Sequence, residues 1–219
     1  MKVFCVIPAF NEAKHISNIA KVKEKVNEVI LVDDCSDDNT LELAKKSNVT
    51  VLHHIVNRGQ GAALRTGTNY AINHGSDQDI IVHFDADGQM RVEDIHKVIE
   101  PLKHGADIVF GSRFLDNSTK MPGFKKHVIM PLAKLINKIF LNVNLTDPQS
   151  GFRAMTIEAA KKLNWQQDGM AHCSEILLLA HKRKLKITEV PITIIYKNFG
   201  QKLSGGVRII KDLIIAKLI

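Results

Sequence analysis

Two aspartates at the end of an apolar run are the residues of this chain best placed to do chemistry. Asp85 and Asp87 are separated by Ala86 and follow the run IIVHF at residues 80–84. Such a run is typical of a strand buried on both faces of a parallel sheet. Because the backbone begins to turn where the strand ends, both carboxylates can reach one point beyond it. Hard divalent cations prefer such oxygen ligands, and Mg²⁺ completes its shell with water and phosphates, so the spacing predicts a metal site that binds a diphosphate. The alternative is an ordinary turn, since Asp and Gly commonly follow strands.

The elements that position these aspartates follow a regular order. Apolar runs predict strands at residues 2–7, 28–32, 50–54, 79–84 and 106–110, and helical patterns at 13–26, 39–47, 61–74 and 92–104 lie between them. This alternation predicts an α/β fold in one domain, with a mostly parallel, Rossmann-like sheet flanked by helices. Ligands of such sheets bind beyond the carboxyl ends of the strands. Polar clusters follow the five predicted strands, at 8–12, 33–40, 57–61, 85–89 and 111–114, and are therefore expected to share one edge.

Charge and composition restrict the partners. The 219 residues carry a formal net charge of +7, with 30 Lys and Arg against 23 Asp and Glu, which favours phosphate-bearing partners. Aromatic residues make up only 5% of the chain and no nucleic-acid docking motif occurs, so nucleic acid is not expected as a partner. The three cysteines are widely spaced, which predicts reduced thiols and a cytoplasmic protein.

Two basic, amphipathic segments raise the question of membrane contact. No stretch approaches 18 uncharged apolar residues, and the first apolar run is too short for a signal peptide and fits a first strand better. Residues 125–141 and 207–219 combine lysines or arginine with apolar residues. They either pack on the sheet with their basic groups exposed or lie on an anionic membrane surface. We expect a peripheral protein at the inner face of the cell membrane.

Several familiar sites are excluded by their spacing. The segment NRGQGAA at 57–63 lacks the third glycine of a dinucleotide fingerprint, and no Gly-Lys-Ser or Gly-Lys-Thr of a P-loop occurs. What remains there is a tight turn with close helix packing. No His-Glu-x-x-His motif or paired cysteine spacing supports a zinc site.

The polar cluster after the first strand could bind a nucleoside. Pro8 fixes the turn, Phe10 offers a face for a base, and Glu12 can accept hydrogen bonds from a base or ribose. The alternative is a helix entry, with Asn11 as the cap and Glu12 favoured by the helix dipole.

Taken together, the motifs resemble glycosyltransferase family 2 of the GT-A fold, near dolichol-phosphate mannose synthase and the bacterial polyprenyl-phosphate glycosyltransferases. The segments that carry the resemblance are IPAFNE at 7–12, VDDCSDDNT at 32–40, NRGQGAA at 57–63, FDADGQ at 84–89, GSRF at 111–114, TDPQSGFRA at 146–154 and EVPI at 189–192. They cover nearly the whole chain in the family's order.

The resemblance implies roles for individual residues. It assigns the nucleotide sugar to Pro8, Phe10, Glu12, Asp34, Asp85, Ala86 and Arg113, and a Mg²⁺ or Mn²⁺ ion to Asp85, Asp87 and Gln89. Arg113 and Arg153 are candidates for phosphate contacts, because a guanidinium matches phosphate oxygens. Lys202 is the further candidate for the acceptor phosphate, although the tail lacks the late arginine and the Ser-Lys order of the synthase branch.

The choice of acceptor decides whether a general base is needed. An acceptor phosphate is already anionic, whereas a sugar hydroxyl needs a base within hydrogen-bond reach. Asp147 and Glu175 are the candidate bases, and with Asp87 and Arg153 they complete the predicted catalytic set. Glu175 also fits a purely structural role at a helix N-terminus.

These inferences predict a metal-dependent, inverting glycosyltransferase that moves a hexose from a UDP- or GDP-sugar to a polyprenyl phosphate. Residues 1–114 would bind the donor and residues 115–219 the acceptor. The alternatives are a cell-surface glycan as acceptor, a nucleotide-sugar-binding protein without turnover, and a nucleotidyltransferase. The last usually has a glycine-rich, basic loop after its first strand, which residues 8–12 do not provide.

Overall fold

Seven strands form one sheet in the order β3-β2-β1-β4-β6-β5-β7 in the computed structural model, which describes residues 1–116 and 145–195. The strands are β1 (Val3–Ala9), β2 (Glu28–Asp33), β3 (Thr50–His53), β4 (Ile80–His83), β5 (Ile108–Ser112), β6 (Arg153–Thr156) and β7 (Ile187–Pro191). Strand β6 is antiparallel to β4 and to β5, and the other neighbouring pairs are parallel. The predicted α/β fold with a mostly parallel sheet is therefore confirmed, and strands from both halves of the chain join it.

Helices cover both faces of the sheet. They are α1 (Ile19–Lys23), α2 (Thr40–Lys46), α3 (Gln60–His74), α4 (Ile95–Lys103), α5 (Ile157–Lys162) and α6 (His172–Lys182). Short 3-10 turns at Ile16–Asn18 and Val92–Asp94 lead into α1 and α4. Within the described ranges, no helix is long and apolar enough to cross a membrane.

Alternation along the strands divides the core between the two faces. In β1, Cys5 and Ile7 belong to the apolar cluster beneath α1 and α4, while Phe4 and Val6 belong to the cluster beneath α3, α5 and α6. Because successive side chains of a strand point to opposite faces, a strand covered on both sides must be apolar throughout. This is why the run at 80–84 contains hardly any polar residues.

The first predicted helix is shorter than expected. The pattern predicts a helix over 13–26, whereas the structure has the 3-10 turn and α1, which end at Lys23. The N–H groups before this turn bind the next loop instead of a helix: Glu12 N donates to Thr40 Oγ1 at 2.8 Å and Ala13 N to Asp38 Oδ2 at 3.2 Å. This tertiary pairing replaces the first helical turns.

The sheet brings the polar clusters to one edge, as predicted. The carboxyl ends of the parallel strands meet there, and β6 starts at the same edge because it runs in the opposite direction. The register shows this directly, since His83 at the end of β4 pairs with Arg153 at the start of β6. The basic segments 125–141 and 207–219 and Lys202 lie outside the described residues.

Candidate functional site

The paired aspartates lie in the turn that follows β4. Both are partly buried, Gly88 has a positive φ of 69°, and Gln89 N donates to Asp87 Oδ1 at 2.9 Å. Burial, and then the negative charge of Asp87, raise the pKa of Asp85 to about 7. The negative charge of Asp87 thus disfavours the charge on Asp85, so a cation bound by both carboxylates would be stabilised.

Asp85 is positioned by groups from two distant parts of the chain. Gln60, the first residue of α3, donates its side-chain amide Nε2 to Asp85 Oδ1 at 2.8 Å. On the other side lies Gly151, where a Cβ atom would stand only 3.0 Å from Asp85 Oδ2. The aspartate therefore lies between an amide donor and a glycine at which a Cβ atom would press against the carboxylate.

A buried basic group lies beneath the aspartates. Arg153 has no exposed surface, and its Nη2 donates to Cys173 Sγ at 3.1 Å and lies 3.4 Å from His172 Nε2. Among the described residues, no hydrogen-bond acceptor faces Arg153 Nη1. Burial, and then the charge of Arg153, lower the pKa of His172 to about 4, so this histidine is neutral at physiological pH. The resemblance assigns Arg153 to a phosphate, and in this structure the guanidinium is enclosed by protein. The phosphate contact stays a prediction.

His83, next to Arg153 in the sheet, is also buried and neutral. Burial, followed by the charge of Arg153, holds its pKa well below the usual value, and its Nε2 lies 2.9 Å from Thr68 Oγ1. His53 ends β3, and His54 directly follows it. His54 is buried and His53 is exposed, and each contacts an aspartate at the end of β2.

The loops after β1 and β2 form one cross-linked unit. Asn11 has a positive φ of 56°, its N–H donates to Ser36 Oγ at 3.0 Å, and its Oδ1 accepts from Asp37 N at 2.9 Å. Asn11 therefore links the two loops and does not cap a helix. Glu12 Oε2 lies 2.7 Å from His15 Nδ1, and Phe10 is 45% exposed. Pro8, Phe10 and Glu12 thus lie at the carboxyl edge, with the Phe10 ring accessible to a ligand.

Asp34 organises the loop between β3 and α3. Its carboxylate is buried, and it accepts from Arg58 N at 3.0 Å and from Gly59 N at 2.6 Å, while His54 Nδ1 lies 2.7 Å away. These contacts hold the segment from which Gln60 reaches Asp85. A contact between Asp34 and a nucleoside remains a prediction.

Arg113 and Asp147 bind each other. Arg113 Nε donates to Asp147 Oδ2 at 2.6 Å and Nη2 to Oδ1 at 2.7 Å, and Arg113 N donates to the same carboxylate. Glu189 holds the Asp147 backbone in place by accepting from Thr146 N and Asp147 N at 2.8 and 3.0 Å. A carboxylate with both oxygens bound to a guanidinium is poorly placed to take a proton from a substrate.

Glu175 binds backbone rather than facing a substrate. Its oxygens accept from Gln166 N at 2.9 Å and Gln167 N at 2.8 Å. The adjoining residue Asp168 places its carbonyl oxygen 2.7 Å from Gly61 N, at the start of α3. A Cβ atom at Gly61 would lie 2.3 Å from Gln167 O, and Gly59 has a positive φ of 98°. The tight turn and close helix packing expected at 57–63 are therefore present.

A cleft of about 430 Å³ adjoins Asp85 on the α1 side of the sheet. Asp85, Ala86, Gly88, His15 and Arg91 contribute to its lining. Its volume suits a small organic ligand, since ligand pockets commonly measure about 300–1,000 Å³.

The carboxyl edge thus gathers most of the predicted site residues but gives them different surroundings. Ala86 and Gln89 share the turn with the aspartates, whereas Asp147 and Glu175 are occupied by protein donors. Gln60, Gly151 and Glu189 were not predicted. Their motifs at 57–63, 146–154 and 189–192 carried a signal, but their contacts lie with residues far away in the sequence.

The oxygen ligands at the β4 turn fit a hard divalent cation. Across the described parts of the chain, no cluster of three or more His, Cys, Asp or Glu side chains is arranged to hold a metal ion. Mg²⁺ commonly uses only one or two carboxylates together with substrate phosphates and water. The Asp85 and Asp87 pair meets that requirement if a diphosphate supplies the remaining oxygens.

Comparison with known proteins gives a consistent result. The family model described as "Glycosyl transferase family 2" matches residues 4–163. The chain is 34% identical to the UDP-N-acetylglucosamine--dolichyl-phosphate N-acetylglucosaminyltransferase of Methanococcus voltae, over 99% of this chain and 96% of that protein. It is 29% identical to the undecaprenyl-phosphate mannosyltransferase of Micrococcus luteus, over 94% of this chain and 89% of that protein.

A solved structure shares the fold. Glucosyl-3-phosphoglycerate synthase from Mycobacterium tuberculosis, crystallised with Mn²⁺, UDP and phosphoglyceric acid, superposes with a TM-score of 0.73 at 21% identity. The match covers 99% of this chain and 77% of that one. The expected GT-A architecture is therefore confirmed.

Proposed function

Because this chain belongs to glycosyl transferase family 2, and is thus a glycosyltransferase, we propose that it transfers a hexose from a UDP- or GDP-sugar to a polyprenyl phosphate with the help of a divalent metal ion. The observation that carries the proposal is the carboxylate pair Asp85 and Asp87 at the carboxyl edge of the sheet, where the pKa of Asp85 is raised to about 7. Relatives that act on dolichyl and undecaprenyl phosphate support the acceptor class.

The donor end of the site would be formed by the β1, β2 and β4 loops. Asp85, Asp87 and Gln89 would hold Mg²⁺ or Mn²⁺, which stabilises the leaving diphosphate as a Lewis acid. The exposed Phe10 ring offers a stacking surface for the base. Glu12 and Asp34 hold the loops around it through Thr40 and Arg58, and Pro8 lies near the end of β1 beside them. The mycobacterial neighbour with bound UDP and Mn²⁺ supports this arrangement by its shared fold alone.

Buried positive charge would support the diphosphate from below. Arg153 lies beneath Asp85 and lowers the pKa of that carboxyl, against the larger effect of burial. We therefore assign Arg153 an electrostatic role. Arg113 is partly exposed at the same edge and is oriented by Asp147, so its guanidinium is the better candidate for a phosphate contact.

The surroundings of Asp147 and Glu175 favour a phosphate acceptor over a sugar hydroxyl. Both carboxylates accept hydrogen bonds from protein groups, Asp147 from Arg113 and Glu175 from backbone N–H groups. A hydroxyl acceptor would need one of them as a general base, whereas an anionic phosphate needs none. The inverting outcome and a peripheral position at the inner membrane face, with Lys202 near the lipid phosphate, belong to the same proposal.

Transfer of labelled sugar tests the proposal. Radiolabelled UDP- and GDP-hexoses are offered with polyprenyl phosphate or with saccharide acceptors, and the lipid and saccharide fractions are counted. We expect label in the lipid fraction, dependence on Mg²⁺ or Mn²⁺, and a loss of about 100-fold or more in Asp87→Asn. Asp77→Asn, an exposed aspartate before β4, is the matched control. Label confined to saccharide would overturn the acceptor, and nucleotide binding without any transfer would favour a binding protein.

A further inference from the structure

We infer that Gln60 and Gly151 act as a clamp that fixes the orientation of the Asp85 carboxylate for cation binding, and that Gln60 is a positioning residue of this site. This inference rests on the proposed metal-dependent function. It concerns residues outside the acidic motif that contact Asp85. The two sides of the clamp come from different halves of the chain, at the start of α3 and just before β6.

The Gln60 side of the clamp is a single directed hydrogen bond. Gln60 Nε2 donates to Asp85 Oδ1 at 2.8 Å. A neutral amide suits this task because it orients the carboxylate without a positive charge that would compete with the cation. Groups that orient metal ligands in this way commonly account for about 10–100-fold in metal affinity.

The Gly151 side of the clamp is steric. A Cβ atom at this position would lie 3.0 Å from Asp85 Oδ2, 3.5 Å from Oδ1 and 3.5 Å from Met90 Cε. Gly151 has no positive φ, so its backbone does not require glycine. The Asp85 carboxylate is therefore the group nearest to a side chain at this position, and the Cβ of an alanine would require that carboxylate to shift.

Gln60 is itself held firmly. Asp168 O accepts from Gly61 N at 2.7 Å and from Ala62 N at 3.2 Å, so the first turn of α3 is tied to the loop before α6. The Trp165 indole Nε1 donates to Gly61 O at 3.0 Å in the same region. These contacts fix the α3 N-terminus, and a fixed N-terminus gives Gln60 a defined position relative to Asp85.

Metal-linked nucleotide binding tests the Gln60 side without measuring catalysis. The Mn²⁺ concentration that gives half of the thermal stabilisation by UDP or GDP, whichever stabilises the wild type, is compared between variants. Gln60→Leu removes the donor at similar volume, and we expect this concentration to rise about 10-fold or more. Gln60→Lys keeps a donor but adds a positive charge, and we expect a rise at least as large. Gln78→Leu, an exposed glutamine before β4, is the matched control and should leave it unchanged.

Gly151→Ala tests the steric side independently, and it remains informative if the Gln60 variants do not fold. Gly169→Ala is its control, because a Cβ there meets no atom within 4 Å. We expect the Mn²⁺ concentration that gives half of the thermal stabilisation by nucleotide, the Mn²⁺ half-point, to rise in Gly151→Ala and not in Gly169→Ala. A purely structural role would lower the melting temperature without metal and leave the Mn²⁺ half-point unchanged, which would overturn the clamp. If the wild type itself shows no metal-linked nucleotide stabilisation, the proposed function fails as well.

Discussion

Replacing Asp85 by Asn should stabilise the metal-free protein at neutral and alkaline pH while it weakens metal binding. Burial and the nearby Asp87 raise the pKa of the Asp85 carboxyl from 3.8 to about 7. In the folded protein the negative charge is therefore disfavoured. Asn has nearly the same shape, can still accept from Gln60, and carries no charge.

The sign of the pH dependence follows from the raised pKa. Between about pH 4 and pH 7 the folded protein holds a proton that the unfolded chain has released, so the metal-free wild type loses stability as the pH rises through this window. A shift of about three units corresponds to at most about 4 kcal/mol in the free energy of unfolding. Since Asp85 is partly accessible to water, we expect Asp85→Asn to gain about 1–3 kcal/mol over wild type between pH 5 and pH 8.

Urea unfolding in EDTA at pH 5 and at pH 8 measures this gain in the free energy of unfolding. Asp77→Asn is the control. The wild type should also bind Mn²⁺ alone about 10-fold more weakly at pH 6 than at pH 8, because the cation must displace a proton whose pKa is about 7. Electron paramagnetic resonance of free Mn²⁺ gives this dissociation constant. A stability difference that does not change with pH, or equal Mn²⁺ affinities at both pH values, would refute the reasoning.

Three further substitutions test the supporting contacts. Asp34→Ala should lower the free energy of unfolding by about 2–4 kcal/mol, because the N–H groups of Arg58 and Gly59 lose the buried carboxylate that accepts from them; urea unfolding measures it. Gly67→Ala should lower the free energy of unfolding by about 1–3 kcal/mol, because its Cβ would lie 2.3 Å from Val6 Cγ1. Gly169→Ala is the control in the same urea series and should leave the free energy of unfolding unchanged. Glu175→Ala should lower the free energy of unfolding by about 1–2 kcal/mol, measured by thermal unfolding, and should retain sugar transfer to polyprenyl phosphate below the melting temperature. A loss of transfer without a loss of stability would show instead that Glu175 acts as a base.

Much of the fold could be predicted because it depends on local patterns. The apolar run at 80–84 predicts β4, and the structure places Ile80–His83 in that strand with full burial. The helix at 61–74 is found one residue longer, as Gln60–His74. The predicted helix bounds of 13 and 26 were wrong, because the structure has a 3-10 turn from Ile16 and a helix that ends at Lys23. On the N-terminal side, the N–H groups of Glu12 and Ala13 bind Thr40 and Asp38 across the loops. A propensity pattern contains no information about such partners.

The site could be predicted only in outline for the same reason. Strand alternation and the acidic motif locate the aspartates at the carboxyl edge, and the motifs identify the family. They do not reveal that Arg153 is buried, or that Glu175 binds the backbone of Gln166. Arginine and glutamate are residue types that often act in catalysis. Only the tertiary surroundings show whether their charged groups are exposed to a substrate or bound by protein.

The sequence by itself determined the alternation of strands and helices, the edge at which the polar residues collect and the family to which the chain belongs, because each follows from residue types at short spacing. Tertiary structure alone decided which groups meet: Gln60 reaches Asp85 across 25 positions, and Arg113 reaches Asp147 across 34. The physical reason is that strand order and helix packing set such distances, and neither is encoded in the neighbouring residues of any one segment.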